Sequence, residues 1–389
     1  MPLEEGWNLR VVNLGQGLSS AHNVHLASFR QNIECLDKLE SMGIFSSINV
    51  LPDNGYKPSL RRFLRFNNYK YYRLAYPEYY RVVKNSLLRL IKVKNIELIV
   101  VSRLNEAEFV VHLDGVAKVI DDFDCQTLTL EREYSVTRHK LSLKERLRYK
   151  FEYYRCSKQE SELAKRFDLI TTISRADQHR LQELTSNTEK IEILPNGVNP
   201  IFIAQLSEYK ECEKAVAFWG NLAFRPNASA VEYFYKKIFV PYLAKKNVRW
   251  YIIGKEANDV ILNYARKHDN IIVTGFVEDL VGFVENIPVV INPMIMGSGI
   301  KNKVLEAFAL GRAVVSTRLG MEAVAEATPD IHYLEADSPR LFADLVLSLL
   351  SDKKLREKLG RNANILVTGH YTWEKIGERW RNLLERVIE

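Results

Sequence analysis

Short apolar runs recur along this chain, most of them followed by a turn of glycine, proline or small polar residues and then by a stretch of helical periodicity. That alternation leaves few architectures open. Parallel strands joined by crossover helices are the main one, with helices covering the sheet faces. The runs fall into two series. The first comprises residues 9–14, 47–51, 98–102, 117–120, 169–173 and 191–194. The second comprises residues 215–219, 249–253, 271–273, 288–292 and 313–316. With 389 residues, 47% of them hydrophobic, the chain supports two α/β domains, each with its own core. Residues 142–145 form a capping-box pattern. It opens a helix expected to run to about residue 166, with Leu143, Leu147, Phe151 and Tyr154 on one face.

The most informative segment lies between residues 292 and 311. A buried-strand pattern ends at Asn292, a glycine turn follows, and Val304, Leu305, Phe308 and Ala309 recur at helical spacing up to Gly311. A glycine loop entering a helix leaves backbone N–H groups pointing outward, and the positive end of the helix dipole lies beside them. Such a place suits phosphate, and Lys301 adds a full charge. Glu306, just over one turn on, is positioned to accept hydrogen bonds from hydroxyls. Three more turns end strands of the same series: Gly220-Asn221, Gly254-Lys255 and Gly275-Phe276. In open α/β sheets ligands sit at that end of the strands. Earlier in the chain, Gly15-Gln16-Gly17-Leu18-Ser19-Ser20 after residues 9–14 reads as a weaker strand–loop–helix turn, a candidate nucleotide contact through Gly15 and Gly17.

Pro293, Gly297-Ser298-Gly299-Ile300-Lys301-Asn302-Lys303-Val304-Leu305-Glu306-Ala307, Gly311-Arg312-Ala313-Val314-Val315-Ser316-Thr317 and Gly320 resemble the donor-site signature of retaining glycosyltransferases of the GT-B fold, in family 4 (group 1). Pro195-Asn196-Gly197-Val198, Thr274-Gly275-Phe276-Val277 and Tyr371-Thr372-Trp373-Glu374 resemble further segments of that family, in its order. The resemblance is specific in the second half of the chain and loose in the first. It implies two facing Rossmann-like domains with parallel sheets and a cleft between them. Residues 1–198 would bind the acceptor and residues 199–370 the nucleotide-sugar donor. Residues 371–389 would form a helix returning to the first domain.

The resemblance implies a metal-independent hexosyltransferase moving sugar from a UDP-, GDP- or ADP-linked donor to a hydroxyl acceptor, a glycan or a lipid-linked molecule. No cofactor beyond that donor is implied. Bacterial polysaccharide or glycolipid assembly is the setting it implies. Donor contacts are expected from Gly220, Asn221, Arg225, Gly254, Phe276, Val277, Met296, Gly297, Ser298, Gly299, Ile300, Lys301 and Glu306. Lys301, Glu306 and Ser298 are expected at the reacting centre, with Asp121 or Asp122 near the acceptor hydroxyl as base or positioning group. Arg103 is a further candidate for the acceptor side, with His112 and Asp114 weaker ones.

Two departures stand out. Ser298 occupies the place of the family's usual first glutamate, and Asn221 that of an arginine that clamps diphosphate. Arg225, Lys301 or Lys303 must then supply the charge. Asp122-Phe123-Asp124 has the form of a metal motif from a different glycosyltransferase fold, but cationic groups in the second half serve in place of a metal.

The net charge of +7 is unevenly placed. Between Tyr56 and Asn95 lie Lys57, Arg61, Arg62, Arg65, Lys70, Arg73, Arg81, Lys84, Arg89, Lys92 and Lys94, with Glu78 the only acid. Tyrosines and phenylalanines are interleaved. Such a segment fits either a solvated helix pair with an aromatic core or a contact with anionic membrane. No nucleic-acid motif accompanies it. The four cysteines are scattered without a CxxC pair, which excludes a zinc-ribbon reading. No apolar run is long enough to span a bilayer and the first residues do not read as a secretory signal, so a cytoplasmic protein with a peripheral contact on the inner membrane face is expected. Two rival readings of the same residues are a nucleotide-sugar epimerase or hydrolase on this fold, and a non-catalytic binding subunit that kept it.

Overall fold

A computed structural model describes residues 6–389, apart from 30–32, 53–69, 103, 105, 122–123, 186–188 and 204–213. Asp122, Arg103, and the basic residues Lys57, Arg61, Arg62 and Arg65 therefore lie outside the described residues. The chain divides into two compact units, Met1–Asn196 with Trp373–Glu389, and Gly197–Thr372. Among the described residues every strand pairing in both is parallel.

Unit 1 runs α1 (Gly6–Ser19), β1 (His25–Phe29), α2 (Ile33–Ser41), β2 (Ser47–Leu51), α3 (Tyr71–Ala75), α4 (Pro77–Lys94), β3 (Leu98–Val101), α5 (Ala107–Val110), β4 (Ala117–Asp121), α6 (Gln126–Thr137), α7 (Leu143–Ala164), β5 (Leu169–Thr172), α8 (Arg175–Thr185) and β6 (Ile191–Ile193). β1 and β2 form one sheet, and β3-β4-β5-β6 another. The last helix of the chain, Trp373–Ile388, packs with α1 on the four-stranded sheet, burying Leu14, Trp373, Ile376 and Trp380 against Val119 and Leu169.

Unit 2 continues with β7 (Ala215–Trp219), α9 (Arg225–Tyr233), β8 (Arg249–Ile253), α10 (Asp259–Lys267), β9 (Ile271–Gly275), α11 (Leu280–Val284), β10 (Val289–Asn292), α12 (Asn302–Ala309), β11 (Ala313–Ser316), α13 (Arg318–Met321), β12 (Leu334–Glu335), α14 (Pro339–Ser351) and α15 (Lys353–His370), after which the last helix is α16. Its six-stranded sheet has the order β12-β11-β10-β7-β8-β9. β7, β10 and β11 are buried along their whole length, as continuous apolar strands covered on both faces should be. Trp250 packs between Phe234 and Phe239, at 4.7 and 5.4 Å between ring centroids.

The first domain departs from the expectation at its start. Residues 9–14 lie inside α1 and are not a strand. Gly15 and Gly17 are therefore helix residues, not a nucleotide-binding turn. A Cβ on Gly17 would sit 2.6 Å from Gly377 Cα, so α1 and α16 cross with their backbones almost touching. A Cβ on Gly15 would meet the Phe45 ring at 2.9 Å. In α7 the Ser142 capping box forms as read, but Leu143, Leu147 and Tyr154 are exposed; the buried positions are Cys156, Gln159, Glu160, Leu163 and Ala164.

Asp121 also departs from its expected role. It ends β4 fully buried, paired to Arg10 of α1 through two hydrogen bonds of 2.6 and 2.7 Å. Thr171 Oγ1 donates to it at 2.6 Å, and Arg10 donates further to Leu194 O, Pro195 O and Asn196 Oδ1. A carboxylate so saturated ties α1 to the sheet; it is not available to take a proton from an acceptor. Removing one member of a buried ion pair strands the other charge and costs about 3–5 kcal/mol. Arg10→Ala is therefore expected to lower the stability of unit 1 by that order, read as a shifted urea midpoint, while a nucleotide-induced thermal shift of unit 2 stays unchanged.

Candidate functional site

In a parallel sheet the loops that follow the strands share one end. Here the turns after β7, β8 and β9 are joined in series by backbone hydrogen bonds: Gly220 N–H to Ile253 O at 3.0 Å, and Gly254 N–H to Gly275 O at 2.9 Å. A Cβ on Gly254 would lie 1.9 Å from Gly220 O, so no side chain fits there. Gly254 has φ of +152°, which glycine adopts without strain. The loop after β10, residues 293–301, joins this edge. Thr317 Oγ1 donates to Met294 O at 2.6 Å and Asn292 Nδ2 to Ser316 Oγ at 3.0 Å, pinning the loop to the end of β11. Gly297 faces Pro226 at the start of α9, where an added Cβ would lie 3.4 Å away.

α12 begins at Asn302 and stops where expected, with Gly311 at φ of +64°. Its start is where the cations gather. Lys301 turns back on its own loop, donating to Ser298 O at 2.5 Å and Gly299 O at 2.8 Å. It braces the glycine turn as well as charging it. Lys303 is different. It is buried, donates to Asn227 Oδ1 at 2.6 Å, and its ammonium lies 3.9 Å from the centroid of the Phe218 ring. Asn227 is held in turn by donating to Asn221 O at 2.8 Å. An added Cβ on Gly220 would come within 3.5 Å of Lys303 Nζ, so the glycine turn lies directly over the ammonium.

Burial, aided by the charge of Lys301 and opposed by Glu306, pulls the Lys303 pKa down to about 7. Glu306, on the same helix, accepts from Trp219 Nε1 at 2.6 Å. Burial pushes its carboxyl upward, against the indole hydrogen bond and the Lys303 charge.

The sequence-derived donor residues Gly220, Asn221, Gly254, Gly297, Ser298, Gly299, Ile300, Lys301 and Glu306 thus meet at one end of the six-stranded sheet. Arg225 is exposed in the first turn of α9, Met296 is buried in the loop, and Phe276 is 69% exposed beside the half-buried Val277. Gly15, Gly17 and Asp121 belong to unit 1. Asn227, and Trp219 as the partner of Glu306, escaped the sequence reading. One signal bore on Lys303: it lies one turn before Ala307 in a helix whose other residues are mostly apolar, an uncommon place for a lysine.

The chain is similar to a known family, to one sequence relative and to three solved structures, the structures bearing on its fold. Residues 213–352 match the family Glycosyl transferases group 1. Over 240 residues the chain is 22% identical to an uncharacterized glycosyltransferase of Methanocaldococcus jannaschii, covering 58% of this chain and 60% of that one. Among solved structures, Anabaena HepE in complex with UDP and glucose superposes with a TM-score of 0.67 at 12% identity, covering 98% of this chain and 96% of that one. Sucrose-phosphate synthase from Thermosynechococcus elongatus gives 0.71 at 14% identity, with 98% and 93% covered. WaaG, a glycosyltransferase involved in lipopolysaccharide biosynthesis, gives 0.63 at 14% identity, with 97% and 96% covered.

The lowered pKa of Lys303 has a consequence for stability. Between pH 7 and about 10, the unfolded chain holds a proton on this lysine that the folded chain lacks, so folding is favoured more as pH rises through that window. Urea titrations from pH 7 to 9.5 should show unit 2 gaining stability with pH. Lys303→Met should flatten that rise and stabilise unit 2 near neutrality; an unchanged slope would count against a buried, neutralising amine.

Proposed function

We propose that this protein, a chain on the GT-B fold, is a retaining glycosyltransferase of the group 1 type using a nucleotide-diphosphate sugar. The observation that carries the reading is the buried Lys303 beneath the Gly220 turn, beside Glu306, at the strand ends of unit 2. Sugar transfer breaks the bond between C1 and the diphosphate, and negative charge grows on the leaving oxygen. Lys303, the Gly299 and Ile300 amides and the start of α12 are the groups set to meet that charge. Lys301 holds the amides in place. Glu306, oriented by Trp219, accepts from ribose hydroxyls. Phe276 offers an exposed ring for the nucleobase. Ser298, neutral where relatives carry a carboxylate, hydrogen-bonds the sugar. Unit 1 recognises the acceptor, a glycan or lipid-linked hydroxyl. UDP is the first donor nucleotide to try, since HepE is described with UDP bound.

Lys303→Ala and Glu306→Ala should each cut sugar transfer by about 10²–10³, the usual effect of removing one transition-state donor, while circular dichroism stays unchanged. Turnover should persist in excess EDTA. Normal rates in both variants would overturn the site, and loss of activity in EDTA restored by magnesium would overturn the metal-free reading. Products containing free sugar or isomerised donor, without an acceptor conjugate, would favour the epimerase or hydrolase alternative.

A specific observation also supports contact with anionic membrane. In the described part of the basic segment the aromatics turn inward: Tyr72, Tyr79 and Tyr80 pack on Phe109 at 4.9, 5.8 and 5.7 Å. The outward face of α4 carries Arg81, Arg89 and Lys92 among the exposed aliphatics Val82, Leu88 and Val93. No helix among the described residues is long and apolar enough to cross a membrane. A cationic face with interspersed aliphatics suits the surface of an anionic bilayer. The protein should sediment with phosphatidylglycerol vesicles at low salt, and Arg81→Glu/Arg89→Glu/Lys92→Glu should stay in solution; equal sedimentation of both would reject the contact.

A further inference from the structure

Unit 1 gathers cations on one side of its four-stranded sheet. Successive residues of a strand point to opposite faces. Val119 and Leu169 share a core with α1 and α16, whereas Ile120 and Ile170 share one with Val83 of α4, Phe109 of α5 and Leu163 of α7. On this second side Arg73 of α3, Lys84 of α4, His112 just past α5 and Arg166 just past α7 converge. Arg73 Nη1 donates to His112 Nε2 at 3.4 Å. Burial and then the charges of Arg73, Arg166, Lys84 and Lys70 hold the His112 pKa below its usual value. We propose that Arg73, Lys84, His112 and Arg166 form a binding site for a phosphate group, carried by a phospholipid headgroup or by a soluble anion.

Three observations distinguish this cluster from an ordinary solvated face. First, two basic side chains touch. A guanidinium has no acceptor, so His112 Nε2 accepts from it and the imidazole is held neutral. Second, the contact is preorganised. Glu108, buried in α5, accepts from Tyr72 N at 2.8 Å and from Arg73 N at 2.7 Å, and so fixes the backbone that carries the guanidinium. His112 is half-buried four residues after Glu108. Groups already held in place lose little freedom when a ligand arrives. Third, the nearby acids offset only part of the charge. Burial pushes the Glu108 carboxyl up to about 7, against its two backbone bonds, so near neutrality it subtracts less than a full charge. Glu162 lies 3.7 Å from Arg166 in a solvent-exposed pair, where such pairs contribute little.

The mixture of groups selects phosphate. Arginine presents a planar fork to phosphate oxygens and lysine a point charge. A carboxylate has two oxygens to share among four groups on four elements, whereas a phosphate group offers more acceptors and disperses its charge over them. Its arrival also reverses the electrostatics at His112: the anion favours the protonated ring, which then becomes one more donor. The inference rests neither on the proposed transfer reaction nor on membrane contact through Arg81, Arg89 and Lys92, which lie outside this set, and its failure would leave both standing.

The test reads His112 itself, because the donor end of unit 2 would also take up phosphate. The full chain is labelled with carbon-13 in its eight histidine rings, and the magnetic resonance signal lost in His112→Gln identifies the residue. Two probes are titrated at an ionic strength fixed with sodium chloride: inorganic phosphate, and dihexanoylphosphatidylglycerol below its micelle concentration. At least one should move the His112 titration to higher pH. Tighter binding of the lipid identifies a headgroup and tighter binding of inorganic phosphate a soluble anion, while equal affinities leave the phosphate group itself as what is read; each supports the site. Arg73→Met with Lys84→Met should weaken the probe by about tenfold or more, as the loss of charge-assisted hydrogen bonds requires. Arg166→Met, on a separate element, should weaken it too. A His112 titration that neither probe moves would overturn the proposal. So would undiminished affinity in these variants, or chloride alone shifting the titration as far as phosphate does.

Discussion

The contact between Gly220 and Gly254 is the constraint on which the strand-end floor of unit 2 depends. Two strand-ending turns approach until one carbonyl occupies the space a side chain would need. Because they touch, the sheet edge closes into a continuous floor from Gly220 through Gly254 to Gly275. The first of these turns also lies over the ammonium of Lys303. Trp219, the residue before it, is set so that its indole reaches Glu306. Any residue larger than glycine at position 254 would push β7 and β8 apart at their ends. It would thereby misplace the lysine's roof and the glutamate's orienting partner together.

The second half of the chain was legible because its strands are buried on both faces. Runs such as Ala215–Trp219 and Ala313–Ser316 are continuous, bounded by glycine or polar turns, and alternate with helical spacing, so each level of the sequence points the same way. The first domain misled at residues 9–14 for a physical reason. In α1, Asn8, Arg10, Val12 and Leu14 are all buried. The helix is covered on more than one side: Val12 packs with Leu39 and Ile44, while Leu14 packs with Trp373 and Ile376. A helix packed from several directions loses the single apolar stripe that marks it, and a short run then imitates a strand. The same limit applies in α7. Leu143 and Leu147 share a helical face that is exposed among the described residues, whereas the buried face carries Gln159 and Glu160. Glu160 lies there because it accepts from Gln126 N and Thr127 N at the start of α6, a tertiary cap invisible to local periodicity.

For the candidate site, the loop was legible and its charge logic only half so. Glycine spacing marks a turn and a helix start, and Lys301 is the cation nearest to both. Which lysine is buried is decided by what faces it across the sheet, and no spacing along α12 reveals that. Phe218 and Asn227, 85 and 76 positions from Lys303, supply its ring face and its acceptor. Asn221 illustrates the same point. Read alone, it is the loss of an arginine; in place, its carbonyl holds Asn227, which holds Lys303.

A lysine ammonium so deeply placed is unfavourable to folding, because burial disfavours its charged form. A methionine of similar length would fill the space without that cost. The neighbours offset only part of it: one amide oxygen, one aromatic face and the Glu306 carboxylate. Under the proposed function, an anion brought to the glycine turn above it would offset the remainder and draw the proton back. Folding stability and anion affinity are then linked through one residue, and whatever binds there stabilises the unit by mass action. Such frustrated charges concentrate where a protein must hold a charged ligand, because a group already desolvated loses little further hydration when the ligand arrives.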